Sequence, residues 1–380
     1  MVLFQAPLPL GYAQFSEDEL RAGIRSFKDQ LGKRLVILGH HYQQDEVIEF
    51  ADFTGDSLKL AQLAAQQTDA EYIVFCGVHF MAESADILTD GAQQVLLPDL
   101  SAGCSMADMA HIDQVEEAWP LLCEHARQPI TPITYVNSSA EVKAFVGRHD
   151  GACCTSSNAK MALEWALHGA APDGNPDAGH KALFLPDQHL GRNSAYALGW
   201  PLDSMVVYDP QQPEGGLTPG QIRAARVILW KGHCSVHQLF NLPQVESIRA
   251  LDEPYNVLVH PECPWEVCRR ADYVGSTEYI VKTVREAPPD SYWAVGTEVH
   301  LVHRLADTCA DKRVRLLAGI QCLCTTMYRI DLKHLYWTLE NLIAGRVVNQ
   351  IAVDDETKRW SRIALDRMLE LAPSQPVSAK

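Results

Sequence analysis

The sequence is poor in basic residues for its length. Lys and Arg number 32 against 48 Asp and Glu in 380 residues, so the formal net charge is -16 at pH 7. General attraction to nucleic acid or to an anionic membrane surface depends on clustered Lys and Arg. We therefore expect neither nucleic acid nor a membrane among the partners, and an anionic substrate has to be held by local hydrogen-bond donors.

The sequence also lacks a hydrophobic run of the roughly 18 residues that a membrane-spanning helix needs. Its N-terminal stretch, MVLFQAPLPLGYAQ, has neither the basic start nor the cleavage-site pattern of a signal peptide. Eleven cysteines without such a signal are interpreted as thiols or metal ligands, and an odd number cannot pair completely in disulfides. We expect a cytoplasmic protein.

Several common site motifs are absent as well. No G-x-G-x-x-G or P-loop motif is present, so the sequence indicates neither a dinucleotide nor a nucleoside triphosphate. The G-x-S-x-G elbow of a serine hydrolase is missing, and so is any C-x2-C pair of a zinc ribbon or ferredoxin. The remaining composition, 47% hydrophobic and 21% charged, is typical of a globular protein.

What the sequence does contain is a threefold repeat of short apolar runs that alternate with helical stretches. The units start at RLVILGHHYQ, TPITYVNSSAEVKA and YNVLVHPECPWEV. Each unit predicts four strands: a polar motif ends the first, Ser or Thr follows the second, and a cysteine follows the last. This pattern favours three pseudo-symmetric α/β domains, each a short four-stranded parallel sheet with flanking helices, around a central active site. We expect the domains at residues 1–104, 105–234 and 235–324, with 325–380 packing back on the first.

Ligands of open parallel sheets bind at the carboxyl ends of the strands. If the three units turn these edges inward, Cys104, Cys234 and Cys324 converge on one point; the alternative is that they are ordinary buried thiols. Three converging thiolates suit a 4Fe-4S cluster with one open iron or a catalytic zinc with one open position. Cys322, two residues before Cys324, is a competing third ligand.

The first strand of each unit ends in a pair of polar side chains of the acid–base or hydrogen-bonding type. The pairs are His40 with Tyr42, Tyr135 with Asn137, and His260 with Glu262. Alternation along a strand places the members of a pair on one side, with His41 on the other. Taken singly, such residues are more often core or surface residues, but three equivalent pairs indicate a site with general acids or bases.

Four hydroxyl residues stand just before helical runs. They are Ser57, Ser156, Ser276 and Thr277. A hydroxyl at this position is usually an N-cap. A helix N-terminus is also an anion site, because its free N–H groups and the helix dipole favour negative charge. Both roles remain open at this point.

The motifs GHHYQQDEVIEFADFTGDSLKLA, FMAESADIL, PDLSAGCSMADM, YVNSSAEVKA, TSSNA, LPDQHLGRN, HPEC and GSTEYI together resemble the quinolinate synthase family. The resemblance runs from about residue 30 to 371. It implies an enzyme of NAD biosynthesis, of the transferase or dehydrating condensation class. Such enzymes condense iminoaspartate with dihydroxyacetone phosphate to quinolinate, phosphate and water. A functional link to an enzyme that produces iminoaspartate is also implied.

The resemblance further implies a 4Fe-4S cluster held by one cysteine from each domain, by motif Cys104, Cys234 and Cys324. The family usually has a proline after the third cysteine, whereas TTMYRIDL follows Cys324 here. Catalytic roles are implied for His40, Tyr42, Tyr135, His260 and Glu262, and substrate binding for His40, Ser57, Tyr135, Asn137, Ser156, His260, Glu262, Ser276 and Thr277. The alternatives are another three-cysteine 4Fe-4S enzyme of similar build, or a non-catalytic iron-sulfur or zinc sensor.

Overall fold

Three sheets follow one another along the chain in this computed structural model, which describes residues 5–89, 91, 93–168, 178–319 and 322–371. Helices flank each sheet. The first nine strands are β1 Leu35–His40, β2 Phe53–Gly55, β3 Tyr72–Cys76, β4 Gln94–Leu96, β5 Ile130–Tyr135, β6 Ala152–Cys154, β7 Lys181–Leu185, β8 Met205–Tyr208 and β9 Val227–Trp230. The later strands are β10 Asn256–Val259, β11 Tyr273–Val274, β12 Tyr292–Gly296, β13 Arg313–Leu316 and β14 Gln350–Ile351.

The helices fall mainly between these strands, as the repeat predicts. Those before β9 are α1 Glu17–Leu31, α2 Asp45–Ile48, α3 Ser57–Gln66, α4 His79–Leu88, α5 Ile112–Ala126, α6 Ala140–Arg148, α7 Ala159–Ala166, α8 Gln188–Ala197 and α9 Pro219–Ala224. Those after β9 are α10 Leu242–Arg249, α11 Trp265–Arg270, α12 Thr277–Glu286, α13 Val299–Thr308, α14 Leu332–Ile343 and α15 Asp355–Glu370. None of the described helices combines the length and hydropathy of a membrane span.

The four repeated strands have the same spatial order in every unit. The orders are β2-β1-β3-β4, β6-β5-β7-β9 and β11-β10-β12-β13, and all these neighbours are parallel. The central strands are buried along their length because they are apolar runs covered by helices on both faces. The predicted fold class, three pseudo-symmetric α/β units, is therefore confirmed.

Two strands are added to the predicted four-stranded sheets. Strand β8 joins the outer edge of the second sheet beside β9, and β14 pairs antiparallel with β4 at the edge of the first. Both lie outside the repeat and are short, and three of the four residues of β8 are only half-buried. Segments of two to four residues are too short to show a clear strand period, so neither strand was predicted from the sequence.

The segment after Cys324 contacts two units. Helix α14 packs against α1, while α15 packs against α6 of the second unit. The approach to α6 is close: a Cβ added to Gly147 would collide with the carbonyl oxygen of Trp360, so a larger residue would push α15 away. The predicted domain boundaries stay a prediction, and residues 372–380 of the segment lie outside the described residues.

Candidate active site

A cavity of about 70 Å³ lies where the carboxyl ends of the three sheets meet. All three units line it. Its lining includes, from the sequence-predicted residues, His40, Tyr42, Ser57, Cys104, Tyr135, Asn137, Ser156, Cys234, His260, Glu262, Thr277 and Cys324. Ser276 and Cys322 are the two candidates that do not line it. Parallel sheets whose carboxyl edges point inward thus bring distant segments together.

The three cavity cysteines occupy the same local turn. A short 3-10 helix starts three residues after each of Cys104, Cys234 and Cys324. In each turn the cysteine carbonyl accepts a hydrogen bond from the backbone N–H four residues on, at 3.1, 3.0 and 3.0 Å respectively. The repeat seen in the sequence is therefore a repeat of backbone geometry around the three thiols.

Cys322 has a different place in this turn. The residues two before the cavity cysteines are Ala102, Gly232 and Cys322, and their carbonyls accept from the first N–H of α4, α8 and α13, at 2.8, 3.0 and 3.1 Å. Cys322 is thus equivalent to an alanine and a glycine, and its side chain is buried in the core of the third unit. The backbone equivalence supports Cys324 as the partner of Cys104 and Cys234.

The surroundings of the three cavity thiols favour metal binding over a role as unbound, reactive thiolates. Burial raises the pKa of Cys104 to about 12 and also raises the pKa values of Cys234 and Cys324. The other cavity thiols add to the shift for Cys104 and Cys234, since converging negative charges repel. A metal centre removes that penalty by supplying positive charge, and its binding releases the thiol protons. The donor set therefore fits a metal cofactor.

The first strand of the first unit and that of the third end in the same turn. The N–H of Tyr42 donates to Nδ1 of His40 at 3.1 Å, and the N–H of Glu262 donates to Nδ1 of His260 at 3.4 Å. In both turns the residue after that, Gln43 or Cys263, donates its N–H to the histidine carbonyl, at 2.9 and 3.0 Å. Tyr42 and Glu262 are therefore equivalent positions.

Alternation along a strand was predicted to place Tyr42 and His41 on opposite sides, but this turn places them instead. Strand β1 ends at His40, so Tyr42 reaches the cavity through the turn rather than along a strand. His41 does point elsewhere: its Nε2 lies 2.9 Å from Oε1 of Glu278 on α12. Burial, followed by the effect of His41, lowers the pKa of His40 to about 3, so its ring is neutral near pH 7.

The second unit contributes Tyr135, the last residue of β5, and Asn137. Burial raises the pKa of Tyr135 well above its usual value, so the phenol stays protonated and can donate a hydrogen bond. Oδ1 of Asn137 is buried, and no partner for it occurs in the described part of the chain. A buried amide oxygen at a cavity wall is suited to a ligand's N–H or O–H.

Glu262 lies at the centre of a buried polar network. Its Oε2 is 2.6 Å from Nδ1 of His237 and 3.3 Å from Nδ1 of His260, and the two imidazole rings stack with centroids 4.4 Å apart. Nε2 of His237 lies 3.1 Å from Oγ1 of Thr297, which is 2.9 Å from the phenol oxygen of Tyr42. A continuous chain of polar groups thus joins Glu262 to Tyr42.

The protonation states along this chain differ. Burial would raise the pKa of Glu262, but the two histidines outweigh it and lower that pKa, so the carboxylate is ionised. Burial lowers the pKa of His260, which leaves a neutral ring. Burial, together with the nearby charge of Glu262, raises the pKa of Tyr42 well above its usual value. An ionised base and a protonated phenol therefore sit at opposite ends of one chain.

Two members of this network, His237 and Thr297, were not predicted from the sequence. His237 follows Cys234 by three residues in CSVH, and Thr297 follows β12 in GTEVH. A C-x2-H spacing next to a proposed metal ligand is a usable signal for His237. Thr297 offers no such signal, because a threonine after a strand is most often a cap or a turn residue.

The helix-start hydroxyls divide into two kinds. Ser57 and Thr277 are the first residues of α3 and α12, and Oγ1 of Thr277 lies 3.0 Å from the phenol oxygen of Tyr42. The N-caps are the preceding residues: Asp56 accepts from the N–H of Lys59 at 3.0 Å, and Ser276 accepts from that of Tyr279 at 3.4 Å. Ser156 lies in the turn between β6 and α7.

The loop that carries Glu262 is held from the second unit. Nδ2 of Asn193, on α8, donates to the carbonyls of Pro261 at 2.8 Å and Cys263 at 2.9 Å, one on each side of Glu262. Three features therefore fix the carboxylate: the backbone turn at His260, the imidazole ring of His237 and the side-chain amide of Asn193. Such a fixed position is what a proton-transferring group requires.

Comparison with known proteins gives a consistent result. A family described as "Quinolinate synthetase A protein" matches residues 22–370. A relative from Nocardioides sp., named "Quinolinate synthase", is 56% identical over 358 residues, covering 94% of this chain and 90% of its own. A relative of the same name from Acidobacterium capsulatum is 55% identical, covering 95% of this chain and 95% of its own. Another from Geobacillus kaustophilus is 54% identical, covering 96% of this chain and 97% of its own.

Proposed function

The chain belongs to the quinolinate synthase family and is an enzyme of that type, and from this premise we propose that it condenses iminoaspartate with dihydroxyacetone phosphate. The products of this reaction are quinolinate, phosphate and water, in the biosynthesis of NAD. The family match confirms the resemblance found in the sequence. The substrates and the cofactor are the part that we propose.

One observation carries the proposal. Three equivalent cysteine turns and three polar strand ends from separate units line a single cavity. A cluster with three protein ligands keeps one iron open toward substrate. A site that held metal for structure alone would be closed by a fourth ligand and would not need an acid–base network beside it.

Cys104, Cys234 and Cys324 would hold a 4Fe-4S cluster. Their thiols come from equivalent turns, so one inorganic centre can meet all three in similar geometry. When bound, the cluster would supply a Lewis acid that polarises substrate oxygen or nitrogen. All other steps fall to side chains of the chain itself.

Glu262 would accept a proton in the condensation or the dehydration. It is ionised and fixed by His237 and His260, and it lines the cavity. Tyr42, at the other end of the chain through Thr297, would donate to an oxygen that gains charge. His40 and His260, as neutral rings, would orient the substrate through hydrogen bonds.

The phosphate and carboxylates of the substrates would be bound by hydrogen-bond donors rather than by charged Lys or Arg side chains. No Lys or Arg occurs among the described residues of the cavity wall. Ser57 and Thr277 stand at the N-termini of ten-residue helices, where free N–H groups and the dipole attract anions. Together with Ser156, Tyr135 and Asn137 they would bind phosphate and carboxylates.

The cavity has to widen before it can hold both substrates. Its volume of about 70 Å³ is small beside the roughly 300–1,000 Å³ of a typical ligand pocket. Among the described residues the third sheet consists of strands of the third unit alone, whereas the segment after Cys324 ties the first unit to the second. The third unit would therefore move away from the other two for binding and close for chemistry.

The decisive experiment uses full-length protein prepared and reconstituted without oxygen. Iron and acid-labile sulfide are measured first, followed by a reaction with freshly generated iminoaspartate and dihydroxyacetone phosphate. We expect four irons per chain and equal amounts of quinolinate and phosphate over time. A full cluster without quinolinate would overturn the proposal and favour a sensor. The link to an enzyme that produces iminoaspartate, and a cytoplasmic location, stay predictions.

A further inference from the structure

A second kind of metal site overlaps the cavity. Cys234, His237 and Glu262 each offer a ligand atom, and these atoms all lie within 4.8 Å of one another. Sulfur, imidazole nitrogen and carboxylate oxygen are the ligands that zinc takes, and three of them with one open position is the arrangement of a catalytic zinc site. We propose that Cys234, His237 and Glu262 form a mononuclear site for Zn²⁺ or a similar divalent ion in chains that lack the cluster.

Two buried atoms point to a ligand here. Nδ1 of His237 and Oε1 of Glu262 have no hydrogen-bond partner within the described part of the chain. Nδ1 does lie 2.6 Å from Oε2 of the same glutamate, but the contact falls outside hydrogen-bond geometry. The side chains of His237 and Glu262 are 0% and 3% exposed, so water does not satisfy these atoms from outside. A cation between them would satisfy both.

The surroundings already orient the ligands as metal sites require. Nε2 of His237 lies 3.1 Å from Oγ1 of Thr297, which leaves Nδ1 as the nitrogen for the metal. On the other side, Nδ1 of His260 lies 3.3 Å from Oε2 of Glu262. His237 follows Cys234 by three residues within one turn, so two of the ligands come from a single rigid segment.

The charge balance also favours an ion. The carboxylate of Glu262 brings one negative charge, and the thiol of Cys234 loses its proton to solvent when the metal–sulfur bond forms. A divalent ion with one thiolate and one carboxylate is neutral overall, which suits a buried position. No electron is transferred, and a water molecule from the cavity completes the fourth position.

The site competes with the proposed cluster, and this part of the inference rests on the proposed function. Cys234 cannot bind the mononuclear ion and serve as a full cluster ligand at once. Glu262, the proposed base, would also be occupied. A chain loaded with Zn²⁺ would therefore neither accept a cluster nor turn over, and excess zinc would act at assembly rather than on the finished enzyme.

The two metal sites share Cys234 but differ in their other ligands, and variants separate them. The probe is Co²⁺, added without oxygen to full-length, cluster-free protein, because its thiolate charge-transfer and visible bands report ligand type and geometry. Wild type and Cys104→Ser should bind one Co²⁺ per chain with equal affinity. His237→Ala should bind at least about a hundredfold more weakly, since losing even an outer partner of a metal ligand costs up to that much.

The matched control is His233→Ala, which removes a nearby imidazole outside the site and should bind Co²⁺ as wild type does. Thr297→Val keeps all three ligands but releases the ring of His237, and it should weaken Co²⁺ binding about ten- to hundredfold. With this second variant the test still decides if His237→Ala fails to fold. Zn²⁺ added before reconstitution should block iron uptake in wild type and leave it intact in His237→Ala.

Two outcomes would overturn the inference. Equal Co²⁺ binding by wild type and His237→Ala would remove His237 from the site. Loss of binding in Cys104→Ser would show that the ion sits on the three cavity cysteines instead. The proposed function is judged separately, because a clustered protein that makes no quinolinate would refute it while the Co²⁺ result stands.

Discussion

The first and third units end their leading strands in the same backbone turn, yet place different chemistry there. His40 and His260 are equivalent, each accepting through Nδ1 the N–H of the residue two positions on. That residue is a protonated phenol in the first unit, Tyr42, and an ionised carboxylate in the third, Glu262. The repeat thus supplies geometry, and one side chain per unit sets whether the position carries a hydrogen-bond donor or a negative charge.

The cysteine turns show the opposite case. Backbone and side chain are both repeated there, since Cys104 and Cys324 have the same turn and the same residue type. A centre with several equivalent ligands benefits from symmetry, whereas a reaction that moves a proton from one place to another needs unlike groups. The difference between the two kinds of repeat is therefore the one that the proposed cluster and the proposed proton transfer would require.

The largest effect is expected where the repeat is strict. Cys324→Ser should abolish the cluster absorbance and all measurable activity, because three thiolates are the minimum protein ligation for a cluster with one open iron. Cys322→Ser should keep both, since the third unit uses Cys322 for the carbonyl bond that Ala102 and Gly232 make in the others. Iron content, sulfide content and the visible spectrum measure this.

The reverse result for the two cysteines would break the equivalence of the cysteine turns. A cluster retained in Cys324→Ser and lost in Cys322→Ser would mean that the third unit presents its ligand two residues earlier than the first. Cys123→Ser, an exposed cysteine on α5, is the control for a general effect of removing a thiol.

Substitutions at the two different strand-end residues, Glu262 and Tyr42, should lower kcat by different amounts. Glu262→Gln should lower kcat about a hundredfold with the cluster intact, the usual contribution of general acid–base catalysis. Tyr42→Phe should lower kcat about tenfold, equivalent to roughly 1.4 kcal/mol for a lost hydrogen-bond donor. Steady-state kinetics on both variants at matched iron content gives the comparison.

Exposed neighbours provide controls for the strand-end variants. Glu266→Gln on α11 and Tyr279→Phe on α12 change the same groups at exposed positions and should leave kcat unchanged. Equal losses for Glu262→Gln and Tyr42→Phe would contradict the division into base and donor. They would point instead to a single shared function of the polar network.

The smallest effects are expected at the helix starts. Ser57 in the first unit faces the cavity beyond the cap, whereas Ser276 in the third unit is the cap itself. Ser57→Ala should raise KM about tenfold, as expected for the loss of a hydrogen bond to a charged group, and leave the melting temperature unchanged. Ser276→Ala should lower the free energy of unfolding by about 1 kcal/mol and leave KM unchanged.

Thermal melts and Michaelis constants on both serine variants decide the matter. A raised KM in Ser276→Ala with unchanged melting would place its hydroxyl on substrate and make the two units alike at this position. An unchanged KM in Ser57→Ala would remove the first unit from the anion site.

The sequence allowed prediction of the parts that the repeat encodes. The order of four strands, the inward carboxyl edges and the cavity position of Cys104 follow from apolar runs and from what ends them. Asn137 and Ser156 reach the cavity for the same reason. At these positions the local sequence pattern and the overall fold agree, so the pattern in one sequence is enough to predict their place.

The rest depends on contacts between residues that are distant in the sequence, which no local pattern records. His237 becomes part of the site only because Glu262 and Thr297, further along the third unit, lie against it in the fold. Asn193 holds the Glu262 loop across the junction of the second and third units. The role of Ser276 depended on a shift of one residue in where α12 begins, and helix ends are the least predictable feature of a fold.

Strand β14 has a consequence for how the polypeptide matures. The first sheet is complete only when β14, from the far end of the described chain, pairs with β4. During synthesis the first unit therefore emerges with β4 as an open edge, and it keeps that edge until the other two units have been made. An open strand edge invites pairing with other chains. Nascent protein should accordingly depend on chaperones until β14 has emerged and paired with β4, and slow translation through the second and third units should increase aggregation.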